Sequence, residues 1–223
     1  MRVMIHAVPQ RMWYVEEFLL PALCEQGMDM SEVTVRVDSE GLGNLESCMR
    51  AFEACEGDGG TWHLQDDVLI ARDFVERCRG HDFGVVYGFC CRQFNDNPRI
   101  TAEVYMPDAW HSFQCVRIPD AYARDCAAWY RSRAWETESP SDELGILESH
   151  RSGDDTFFRE YLLCRHGPET AFNMKPNLVE HVDYLLGGSI VNVWRRSFAR
   201  SALWDDEELV EDLRRAIKSK EDH

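Results

Sequence analysis

Thr61-Trp62-His63-Leu64-Gln65-Asp66-Asp67-Val68-Leu69-Ile70 runs as an apolar, strand-like segment into two adjacent carboxylates and returns at once to apolar residues. Carboxylates are rarely buried without a partner, so Asp66 and Asp67 at a strand end need positive charge nearby. A divalent cation is the first candidate, because hard cations with oxygen ligands are Mg²⁺ or Mn²⁺. The alternative on this stretch alone is a solvated acidic turn.

Upstream of it, strand and helix signals alternate. Residues 3–8 read as a buried strand, 11–26 as a helix with Trp13, Phe18, Leu19 and Leu23 toward a core, and 33–37 as a β-branched strand ending at Asp38. A helix is predicted over 42–55, stopped by Glu56-Gly57-Asp58-Gly59-Gly60. Residues 62–65 form the third strand, 72–79 a helix and 83–89 a fourth strand. Such β-α-β-α-β alternation implies a mostly parallel sheet with helices on both faces. Ligands of open α/β sheets bind beyond the carboxyl ends of the strands. That rule sets Pro9-Gln10-Arg11, Asp38 and Gln65-Asp66-Asp67 along one edge.

The second half is less regular. A turn at 94–98 is flanked by short strands near 101–106 and 112–118, and 121–132 reads as a helix. Residues 134–150 are polar and acidic and read as a mobile loop. A helix over 156–164 carries Asp154 and Asp155 at its start, where negative charge is favoured. The last helix, 205–220, is amphipathic, with Leu209, Leu213 and Ile217 on one face.

The whole chain bounds what these pieces build. At 223 residues it holds one domain, with or without an extension, and buries a substantial core. No secretory signal is recognisable, and the weakly polar run 182–194 is too short to span a membrane. Nine scattered cysteines without a C-x-x-C pair argue for reduced thiols, and so for a cytoplasmic protein. A formal charge of −16 disfavours non-specific binding to nucleic acid. The basic, aromatic segment 194–200 leaves room for a local contact with a strand.

Three acidic or His-bearing loops stand out: Gln65-Asp66-Asp67, Gly153-Asp154-Asp155 and Val179-Glu180-His181-Val182-Asp183. Their order resembles that of a nucleotide-sugar glycosyltransferase of the GT-A fold, of the small stand-alone type found in phages and bacteria. The resemblance covers residues 1–192, with a nucleotide-binding half (1–90) and an acceptor half (91–192), followed by a C-terminal extension (193–223). It implies a Rossmann-type mixed sheet with helices on both faces and a C-terminal helical extension. The chain reads Gln-Asp-Asp where the family often has Asp-x-Asp.

Carried over residue by residue, the resemblance implies that Asp67, with Asp66 beside it, holds Mn²⁺ or Mg²⁺ on the diphosphate of a donor such as a UDP-sugar. Val8, Pro9, Arg11, Asp38, Gln65 and Asp66 would line the donor, and His181 would be a further metal ligand or diphosphate contact. In an inverting enzyme Asp155, with Asp154, would deprotonate the acceptor hydroxyl of a glycan, a protein or a hydroxymethylated base in DNA, and in a retaining one Asp155 would contact the acceptor or the sugar. Plainer roles stay open. Asp154 and Asp155 would serve as helix caps, His181 as a core histidine, Asp38 and Gly187-Gly188-Ser189 as turn residues. Arg195, Arg196 and Arg200 would be a solvated face, and Trp110, Trp129 and Trp135 core or loop anchors. The competing classes are a nucleotidyltransferase or pyrophosphorylase, against which the glycine-free loop 7–11 argues, and a non-catalytic binding protein.

Overall fold

The computed structural model describes residues 1–81, 84–89, 113–138, 153–167, 171–174, 176–188, 204 and 206–221. Its centre is a six-stranded sheet built from β1 (Arg2–Ala7), β2 (Val33–Val37), β3 (Gly60–Gln65), β5 (Val85–Tyr87), β6 (Cys115–Pro119) and β7 (Ala171–Asn173). The spatial order is β2-β1-β3-β6-β5-β7. β1 runs parallel to β2 and β3, β6 is antiparallel to β3 and β5, and β7 rejoins parallel to β5. The sheet is therefore mixed, with β6 reversed. A separate antiparallel pair joins β4 (Val68–Ile70) to β8 (Val179–His181).

Period-two alternation divides the core between the two faces. Val3, Ile5, Ala7, Trp62 and Leu64 point to the side covered by α2 (Leu20–Glu25) and α4 (Phe74–Arg79). Met4, Val116 and Ile118 point to the side covered by α3 (Asn44–Glu53), α5 (Asp120–Ser132) and α7 (Asp154–Arg165). A short helix, α6 (Trp135–Glu138), lies in the segment read as a loop. The remainder of that loop, the strand near 101–106 and the basic segment 194–200 lie outside the described residues.

The single helix predicted over 11–26 is broken instead. It comprises a 3-10 turn (Pro9–Arg11), α1 (Met12–Tyr14), a π segment (Val15–Leu19) and α2. Pro21 supplies the reason: it has no N–H, and its ring crowds the carbonyl four residues earlier. The turn before it widens, so that Leu20 N bonds Val15 O.

The last helix, α8 (Glu207–Glu221), buries Val210, Leu213 and Ile217 in a third cluster with Tyr14, Leu69, Ala71, Val182 and Trp204. Among the described residues no helix is long and apolar enough to cross a membrane.

Candidate active site

β1, β2 and β3 are parallel, so their carboxyl ends share one edge, and the three loops that leave them meet there. Beyond Gln65 the chain leaves the main sheet, turns through Asp66 and Asp67, and enters β4. β4 pairs Val68 with His181 on β8, and Val182 N bonds Asp67 O at 2.8 Å. That pairing carries the late histidine to the acidic turn.

Both carboxylates are buried, Asp66 5% and Asp67 7% exposed. Asp66 accepts from Val8 N at 2.7 Å and from Arg11 Nη1 at 3.0 Å. Asp67 Oδ2 accepts from the same Nη1 at 2.5 Å and lies 3.2 Å from His181 Nε2. Arg11 Nη2 donates to Gly188 O at 2.9 Å. The positive partner that the acidic pair needs is thus present in the chain, in the loop after β1. Arg11 is spent on these carboxylates and on a backbone carbonyl, whereas Pro9, two residues before it, is exposed.

Charge sorts the two aspartates. Burial, and then Asp67, push the Asp66 carboxyl up to about 6 against the pull of Arg11. Burial works to raise Asp67 too, but His181 and Arg11 outweigh it and hold that carboxyl down at about 2. His181 is raised above its ordinary value: burial opposes its charge, and Asp67 and Asp183 favour it more strongly.

Gln65 links this turn to the second acidic loop. Its side chain faces Asp154, the first residue of α7, and favours the ionised form of that carboxyl. Burial, then the neighbouring Asp155, push the Asp154 carboxyl up to about 7. The cap position belongs to Gly153, and no side chain caps it. The two carboxylates instead hold first-turn donors: Asp154 Oδ1 accepts from Asp155 N at 3.0 Å, and Asp155 Oδ1 from Thr156 N at 2.7 Å.

Asp38 lies on the same edge, with one oxygen accepting Leu42 N at 2.9 Å and the other Gly43 N at 3.0 Å. It organises the loop into α3. Gly187 and Gly188 form a turn, both at positive φ, as a glycine pair allows.

Three features of the site go beyond what the residue types alone predict. Arg11, expected as a donor contact, is the ion-pair partner of the acidic turn, as an arginine in the loop after the first strand is placed to be. Asp183, 2% exposed, places Oδ1 3.7 Å from His181 Nδ1; its signal was a carboxylate two residues past a strand-end histidine. His6 Nε2 and His63 Nδ1 lie 2.8 Å apart between β1 and β3. Burial first, and Arg36 second, lower His6 to about 4, so this pair is neutral at physiological pH.

Whether the donors suit a divalent ion is a question of chemistry and charge. Among the described residues no ready-made group of three His, Cys, Asp or Glu side chains converges on one point. The set is nonetheless compatible with a hard cation: an imidazole faces a carboxylate whose second oxygen, Asp67 Oδ1, is buried without a hydrogen-bond partner. Asp66, Asp67 and Asp183 outnumber Arg11, which leaves two negative charges when His181 is neutral and all three carboxyls are ionised.

No protein-family model matches the chain, and no curated protein matches it. Solved structures do. Staphylococcus aureus TarS (residues 1–349) superposes with a TM-score of 0.50 at 11% identity, over 84% of this chain and 62% of that one. The chain has the GT-A fold. It spans about three-fifths of the TarS chain it matches. The glycosyltransferase GlyE of Streptococcus pneumoniae TIGR4 gives 0.45 at 10% identity, over 97% of this chain and 64% of that one. A Bacillus anthracis protein assigned as a glucose-1-phosphate thymidylyltransferase gives 0.38 at 11% identity, over 78% and 87%.

Proposed function

We propose that this chain is a metal-assisted glycosyltransferase that moves a sugar from a nucleoside diphosphate donor, a UDP-sugar foremost, to an acceptor hydroxyl. The observation that supports this reading is the link made by Gln65. It ends β3, precedes the buried Asp66–Asp67 turn, and its side chain faces Asp154 beside Asp155. Gln65 thus stands between a turn suited to a diphosphate and a loop with a carboxylate suited to a hydroxyl proton.

Asp67 and His181 would hold Mn²⁺ or Mg²⁺, which when bound supplies positive charge to a departing diphosphate. The chain's own groups do the rest. Arg11 fixes the acidic turn against the loop after β1. Pro9 and Val8 on that loop, and the Asp38 loop after β2, would border the base and ribose. In the inverting form of the transfer the acceptor oxygen would form a bond to the anomeric carbon as the bond from that carbon to the phosphate oxygen breaks. The hydroxyl proton passes to the Asp155 carboxylate, and the electron pair leaves with the diphosphate. The acceptor is a glycan, a protein or a hydroxymethylated base in DNA. With a net charge of −16, affinity for DNA would rest on local contacts and fall with log salt.

Thermal unfolding with UDP, with and without Mn²⁺, tests the reading. The cognate nucleotide should stabilise the protein only when metal is present. Asp67→Asn should abolish that stabilisation, whereas Asp155→Asn should keep it and lose sugar transfer. Release of pyrophosphate from a nucleoside triphosphate would instead make the chain a nucleotidyltransferase, and indifference of all ligands to both substitutions would make it a non-catalytic binding protein.

A further inference from the structure

We propose that Asp183 is the positioning residue that orients His181 toward the cation held with Asp67. The inference rests on the metal-assisted reading above and adds a residue to it. His181 stands between two buried carboxylates that face opposite sides of its ring: Nε2 is 3.2 Å from Asp67 Oδ2, and Nδ1 is 3.7 Å from Asp183 Oδ1. A group on the Nδ1 side cannot share an ion with Nε2, so Asp183 acts through the ring. A histidine that donates its Nδ1 proton to a carboxylate is fixed as the tautomer whose Nε2 lone pair is free for a metal.

The backbone shows that Asp183 is held for this purpose. It opens a 3-10 turn, Asp183–Leu185, directly after β8, and its carbonyl accepts from Leu186 N at 3.0 Å and Gly188 N at 2.8 Å. Gly188 O in turn accepts Arg11 Nη2. One short loop therefore fixes Asp183, aims it at His181, and locks the arginine on the Asp66–Asp67 turn. The Asp183 side chain is 2% exposed, and its Oδ1 accepts no hydrogen bond from the described residues. A carboxylate oxygen buried in this way needs a donor, and Oδ1 faces the imidazole Nδ1 at 3.7 Å, just beyond hydrogen-bond reach, while the Tyr184 backbone N–H also favours the charged carboxylate.

Calorimetric titration of the full chain with Mn²⁺ alone, without nucleotide, tests this. Asp183→Ala should weaken Mn²⁺ binding by about 10- to 100-fold, and Asp183→Asn, which keeps an acceptor oxygen, should recover part of the loss. In a His181→Ala background the same Asp183→Ala change should have no further effect, because its action runs through the ring. A merely structural role would weaken both backgrounds alike, and that result overturns the proposal, as does unchanged affinity in Asp183→Ala. Wild-type protein that is stabilised by UDP yet does not bind Mn²⁺ would overturn this inference and leave sugar transfer standing. Wild-type protein that binds Mn²⁺ but is insensitive to Asp183→Ala would overturn this inference alone.

Discussion

Arg11 is the guanidinium on which both carboxylates of the acidic turn rest. It is 6% exposed and is the cation against which two adjacent buried aspartates are balanced. Breaking a buried ion pair by removing one partner strands the other charge, at a cost of about 3–5 kcal/mol. Arg11→Met should therefore lower unfolding free energy by that amount in urea, and a loss below about 1 kcal/mol would mean that water reaches the carboxylates. Asp154 gives a second test, with a defined sign. Its folded carboxyl is raised to about 7 by burial and by Asp155, against an ordinary value of 3.8. Between those values the native chain holds a proton that the unfolded chain has released, so this group's contribution to stability is greatest below pH 3.8. It is lost as pH rises toward 7 and is flat and lower above. Asp154→Asn should remove a fall on the order of a few kcal/mol across that window. Asp66, raised to about 6, shifts in the same sense and leaves a shallower slope in the variant. Urea midpoints of both proteins at intervals from pH 4 to 8 measure the difference; parallel curves would show that Asp154 is ionised throughout.

The elements differ in how much the sequence shows of them, and the reason is length. β1, β2 and β3 each run five or six residues with β-branched or alternating apolar side chains, enough for a period of two to register. β4, β7 and β8 have three residues each, too short for any period, and β4 reads as a continuation of β3 past the carboxylates. The reversal of β6 has no local signal, because direction depends on the path of the chain between β5 and β6. The acidic turn, Asp155 and His181 were legible as residue types at strand and helix ends; the Asp183–Gly188 loop was not, since it is held by backbone bonds within itself and by the Arg11 side chain on Gly188 O. Gly88, just past β5, shows how tightly these short strands pack. Gly88 N bonds Cys115 O, and Leu178 N bonds Gly88 O. A Cβ there would meet Cys115 Sγ at 2.5 Å and Leu178 Cδ1 at 2.9 Å. Gly88→Ala should cost about 1–3 kcal/mol by overpacking, whereas Gly167→Ala, with no atom near its Cβ, is strained only by its φ of 77°. Thermal denaturation of the two variants separates clash from backbone strain.

At the scale of the whole molecule, the two-stranded β4–β8 unit bears the site and depends on the C-terminal helix for cover. Leu69 and Ala71 in and after β4, and Val182 after β8, bury their side chains with Val210, Leu213 and Ile217 of α8 and with Tyr14. Tyr14 OH also donates to Val68 O at 2.9 Å, so α1 holds the same strand by its backbone. Asp67 precedes this strand, and His181 and Asp183 flank Val182, so the packing of α8 bears on the residues that would grip the donor. The helix also obeys its dipole, with Glu207 and Glu208 in its first turn and Lys218 and Lys220 in its last. Those exposed charges contribute little; the buried face decides whether the helix is docked. Leu213→Ala should cost about 2–4 kcal/mol by leaving a cavity, and Arg215→Ala on the exposed face should stay within about 0.5 kcal/mol. If the wrap is what steadies β4–β8, Leu213→Ala should also speed amide exchange at Leu69 and Val182. A loss of stability with unchanged protection at those two amides would place the helix outside the cooperative unit that carries the site.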